Sequence, residues 1–114
     1  MATLTTQQIT PAGVTPTYAA ATGGGDKIVP GPTVFLHVKN TSGTSTIVTL
    51  DDPRSASPAG ASQFNPDVAV TVPITTGDKM IGPLSAERFE SPSDGLIAVT
   101  YSQVTGISVA AIRV

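Results

Sequence analysis

Apolar and polar residues alternate along this chain in short blocks broken by glycine, proline, serine and threonine. The clearest block is Val68-Ala69-Val70-Thr71-Val72-Pro73-Ile74, with four branched side chains on one face and three smaller ones on the other. A period of two marks a half-buried strand. The same pattern predicts strands at residues 33–39, 45–50, 79–81, 95–101 and 107–114, with a weaker alternation at 3–9 that stops at Thr10-Pro11-Ala12-Gly13. Residues 40–43, 75–78 and 103–106 each bring a glycine between two such runs, which predicts three hairpins, because a tight turn needs positive φ at a central position. Residues 14–26 carry Pro16, an alanine triplet and a glycine triplet, so no helical period survives there. Residues 84–90 have room for a turn or two of helix before Pro92.

The expected fold is therefore all-β: an antiparallel two-sheet sandwich or jelly roll of about seven or eight short strands. Residues 1–26 read as an N-terminal arm, made of an edge strand and a loop, and residues 27–114 as the sandwich domain. Whether residues 3–9 pair within the chain or with a neighbour stays open at this point.

At 114 residues the chain has the length of one domain. Eleven glycines and ten prolines suit many tight turns. Charged residues make up 12%, against about 25% in a typical protein, while 39% are apolar. That mix argues against disorder and hints that part of the surface is covered by a partner. The net charge is −2, and its six basic residues are scattered singly, whereas nucleic-acid binding wants a clustered basic stripe. No leader-like segment opens the sequence, and no apolar run approaches the roughly 20 residues of a membrane span. Zero cysteine excludes disulfides and thiolate metal sites.

Each candidate for chemistry has a plainer reading that wins. His37 is the single imidazole. On a strand it shares a face with Phe35 and Lys39, and a base or metal ligand would want a carboxylate or second histidine beside it. It reads as a histidine at a sheet face or interface. Asp26, Asp51, Asp52, Asp67, Asp78 and Asp94 sit in or near turns, where aspartate caps its own backbone, and lack the D-x-D-x-D-G spacing of a calcium loop. Glu87 and Glu90 suggest an acid–base pair, but three Phe, two Tyr and no Trp make a poor sugar cleft. No serine stands in G-x-S-x-G. Gly23-Gly24-Gly25-Asp26-Lys27 lacks the ending of a phosphate loop. Asn40-Thr41-Ser42 matches a glycosylation acceptor that means nothing without a secretory route. No catalytic residue, cofactor or metal is expected, nor enzymatic activity.

Several strings are more specific. Residues 10–21 (Thr-Pro-Ala-Gly-Val-Thr-Pro-Thr-Tyr-Ala-Ala-Ala), Gly24-Gly25-Asp26, residues 34–40 (Val-Phe-Leu-His-Val-Lys-Asn), Ile81-Gly82-Pro83-Leu84, residues 98–105 and residues 109–114 follow in that order. Together they resemble small head decoration (cement) proteins of tailed bacteriophages, over nearly the whole chain. The resemblance implies a virion structural protein on the capsid exterior, made in the host cytoplasm. It would bind the major capsid protein, stabilise the shell and form a homo-oligomer, with a trimer as the first expectation. Leu4, Thr6, Gln8, Ile9 and Tyr18 are the candidate partner contacts, since an edge strand can add to a neighbouring sheet through its backbone. Two other classes compete: a head–tail joining, tail or fibre-base structural protein, and a carbohydrate-binding sandwich module. A ring in solution would favour the former, and an exposed aromatic platform the latter.

Overall fold

The computed structural model describes residues 2–51, 67–75, 77–91 and 94–114, apart from the side chains of Glu87 and Arg88. It is an all-β sandwich of two mixed sheets. The strands are β1 (Ala2–Thr3), β2 (Thr6–Gln8), β3 (Ala19–Ala20), β4 (Asp26–Ile28), β5 (Val34–Asn40), β6 (Thr46–Leu50), β7 (Val68–Val72), β8 (Gly77–Ile81), β9 (Ile97–Tyr101) and β10 (Ile107–Arg113). One helical turn, α1 (Ala86–Phe89), precedes β9. The first sheet runs β1-β4-β9-β6-β7 and the second β2-β10-β5-β8, with β3 also on β10.

The inward faces follow the period of two. Val34, Leu36, Val38 and Asn40 on β5 point to the core, as do Val48 and Leu50 on β6 and Ile97 and Val99 on β9. In β7 the alternation read from sequence holds: Val72 is fully buried, Val68 and Val70 half-buried, Ala69 and Thr71 exposed. Ile74 falls outside the strand and is exposed. Leu84 and Phe89 close the core beside the second sheet's edge.

The three expected hairpins are not hairpins. β5 and β6 lie in different sheets, as do β7 and β8, and β9 and β10. Each connection is an arch that carries the chain across the core from one sheet to the other. At every junction but β2–β3 and β6–β7 the chain changes sheet. The arches are held by buried polar groups in place of ladder rungs. Asn40, fully buried, donates from Nδ2 to the carbonyls of Thr44 (2.9 Å) and Val72 (3.4 Å) and accepts from the Ser42 amide (2.9 Å). Thr46, equally buried, donates its hydroxyl to the Gln103 carbonyl at 2.8 Å. Thr41 N–H bonds the Gly106 carbonyl and Thr75 N–H the Ser42 carbonyl, so all three arches join at one end of the sandwich. With its Nδ2 engaged inside the fold, Asn40 could not carry a glycan in this structure.

Two further departures concern the arm. The alternation at residues 3–9 is split: β1 pairs parallel with β4 in the first sheet, and β2 pairs parallel with β10 in the second. The sheets are thus mixed rather than purely antiparallel. Leu4, at the crossing, is inserted into the core. The short strands β3 and β4 carry too few residues for a periodic signal. The polar stretch expected at residues 51–66 lies, beyond Asp51, outside the described residues, as do Asp52 and the side chain of Glu87.

Candidate functional site

The outer face of the second sheet is buried in part: His37 is buried there, whereas Met80, directly opposite it on β8, is 68% exposed. Residues directly opposite in a ladder share a face, and the register sets His37 opposite Ala110 and Phe35 opposite Ile112. All four point away from the core, yet His37, Ala110 and Ile112 are buried. The N-terminal segment reaches this face through side chains: Gln7, Thr17 and Tyr18 line one recess with Ala110, and Tyr18 extends to His37. That segment uses the free edge of β10 twice, through β3 against Ser108 and Val109 and through β2 against residues 111–113.

Two side-chain devices pin this strap. Gln7 acts as an extra ladder rung: its Nε2 donates to the Thr17 carbonyl at 2.8 Å and its Oε1 accepts from the Thr17 amide at 2.7 Å. Ten residues apart in sequence, the two positions close a loop whose tip is exposed. Beside it runs a relay, Tyr18–His37–Asp78. The Tyr18 hydroxyl lies 2.6 Å from His37 Nδ1, and His37 Nε2 bonds the Asp78 carboxylate. An ionised carboxylate only accepts, so Nε2 carries the proton, and in the neutral ring Nδ1 accepts from the phenol. The rings meet edge-on, 5.4 Å apart at 68°, and Lys39 Nζ stands 4.3 Å from the Tyr18 ring centroid. Asp78 comes from β8, so the relay ties the strap across β5 to the opposite edge of the sheet.

The sequence-predicted contact residues divide accordingly. Leu4 is a core residue and presents nothing outward. Thr6 is half-buried with its hydroxyl buried. Gln8 is exposed and accepts from Arg113 Nη2 at 2.9 Å. Ile9 is 43% exposed. Tyr18 is the hinge of the relay. Gln7 carried no signal in sequence, since an amide in a polar alternation has no distinguishing pattern. Alternation puts His37 on the outward face, where the structure has it, but its two partners come from 19 and 41 residues away.

A second polar cluster lies inside the sandwich. Asp26 is fully buried, accepts from the Tyr101 hydroxyl at 2.8 Å and the Thr22 amide at 3.3 Å, and leaves Oδ1 without a partner. Burial and the hydrogen bond to Asp26 push the Tyr101 phenol far above its ordinary range. The phenol is therefore held as a donor. At the surface Lys27 pairs with Asp94, and that hydrogen bond, with one from the Leu96 amide, lowers the Asp94 carboxyl. Among the described residues no three His, Asp or Glu side chains form a group that could hold a metal ion. No helix among them is long and apolar enough to cross a membrane. Compared with protein-family models, curated proteins and solved structures, the chain matches none.

Proposed function

We propose that this chain is a bacteriophage virion structural protein, a decoration (cement) protein that binds the outside of the capsid and stabilises the shell. The observation that supports this reading is the N-terminal strap. No charged side chain precedes Asp26, and from Thr6 to Ala20 the uncharged segment follows the free edge of β10, clamped at Gln7 and Tyr18. Interface centres are depleted of charge, because each buried ion must be stripped of water. A strap free of charged side chains suits adhesion. The resemblance of residues 10–21, 34–40 and 98–105 to phage decoration proteins supplies the particle.

The test is binding to expanded empty shells of the phage that encodes the chain. Purified protein should bind them and raise their melting temperature, because a ligand of the folded state stabilises it by mass action. It should also be recovered in many copies from intact particles. Binding to a tail tube with none to the shell would remove the reading.

A further inference from the structure

We infer that residues 9–17 are a pre-shaped docking loop that inserts Val14 and Ile9 into an uncharged apolar depression on the capsid subunit; this rests on the decoration reading above. Between β2 and β3 the loop leaves the edge of β10, to which only its first residue, Ile9, is bonded. Residues 10–15 are all exposed, and Ile9 and Val14 present apolar side chains to solvent at 43% and 38%.

Its shape is set from both ends. The paired hydrogen bonds of Gln7 and Thr17 close the base, and the Ile9 amide bonds the Arg113 carbonyl at 2.8 Å. Tyr18, the next residue, is locked to His37. Inside the loop the Gly13 amide bonds the Thr10 carbonyl at 2.9 Å, with Gly13 at φ +88. Pro11 and Pro16 restrict φ on either side. A free loop would lose about 1–2 kcal/mol of backbone entropy per residue on ordering. Here that loss falls on folding, which leaves more of the contact energy for association.

The chemistry of the partner follows from what the loop offers. Threonine hydroxyls, backbone groups and two branched apolar side chains can satisfy a neutral depression. They cannot neutralise a buried carboxylate or ammonium, so a charged receptor pocket would be left unpaired. A second copy of this chain is the competing occupant.

Four proteins decide it by titration against expanded shells, with sedimentation for self-association: wild type, Val14→Asp, Gln7→Ala and, as a control on the far sheet, Thr71→Asp. Val14 and Thr71 are exposed, so both aspartates should leave the melting temperature near wild type. Val14→Asp should weaken shell binding at least about tenfold, the range of an anchoring contact. Gln7→Ala should weaken it less and speed proteolytic cutting within residues 9–17, and Thr71→Asp should bind as wild type. If wild type binds shells and Val14→Asp binds equally, the docking loop is wrong while the decoration reading stands. If wild type does not bind shells, both fall. If Val14→Asp abolishes self-association and leaves shell binding intact, the occupant is a second copy and the inference is overturned.

Discussion

Tyr101 and Asp26, 75 residues apart in sequence, meet inside the sandwich, where the phenol donates to Asp26 Oδ2 at 2.8 Å. Both sit on core-facing positions of the first sheet. The folded phenol is raised above its ordinary value, near 10 in unfolded chains, mainly by burial and then by the hydrogen bond to Asp26. Its contribution to stability is therefore fully present below about pH 10 and lost as pH rises beyond it. In a Tyr18→Phe background, phenolate absorbance is expected to rise only together with loss of native circular dichroism. Phenolate signal from a still-folded protein would contradict this. Tyr101→Phe should cost about 1–3 kcal/mol at neutral pH, as a buried acceptor loses its donor, measurable by urea unfolding.

The relay through His37 makes a local expectation distinct from a global one. Tyr18→Phe keeps the ring and removes the hydroxyl that bonds His37 Nδ1. A single hydrogen bond of this kind contributes roughly 1 kcal/mol. Hydrogen exchange at β2 and β3 should quicken about fivefold, while β5 and β9 keep their protection. Unchanged exchange at Ala19 and Ala20 would show that the strap is held without the relay.

Two glycines should answer very differently to alanine. A Cβ at Gly77 would stand 1.9 Å from the Pro73 carbonyl oxygen, within the β7–β8 arch, where backbone cannot yield. Gly77→Ala should destabilise by several kcal/mol or prevent folding, in the manner of overpacked cores. Gly43 has open space around its Cβ position, and Gly43→Ala should be neutral or stabilise by up to about 1 kcal/mol through the unfolded state. Thermal melts of the two variants settle the contrast. Equal melts would mean the arch is not constrained as described.

The Lys27–Asp94 pair joins β4 to the turn before β9, and Asp94 is lowered first by the Lys27 hydrogen bond. A lowered carboxyl stabilises above its unfolded pKa, and that contribution disappears as pH falls through the folded value. The pair is solvent-exposed, so its effect should be small and screened by salt. Asp94→Asn should lower the melting temperature slightly at pH 7 in low salt, and the difference should shrink as the solution is made more acidic or more saline. A difference that stays constant in acid and in high salt would show that charge is not its source.

The period of two was enough to locate β5, β6, β7, β9 and β10 and to say which side chains face inward, since alternation is a property of each strand by itself. Burial of His37 was not legible: Phe35, His37 and Lys39 form an outer face like any other until Tyr18 is seen to reach His37 and Lys39. Of the arm residues with candidate contact roles, Leu4 belongs to the core, and no local pattern distinguishes it from Ile9, or Gln7 from Gln8; only the closed strap separates them. Pairing is where local information ended. A strand that leaves a glycine-bearing turn looks the same whether it returns beside its neighbour or crosses to the facing sheet, because both outcomes bury the same side chains. Only the assembled sandwich, with Asn40 and Thr46 sealed between the arches, decided for crossing. The same holds for Asp26 and Tyr101, and for His37 between Tyr18 and Asp78: contacts between distant positions are selected by the whole core closing at once, not by any window of the chain.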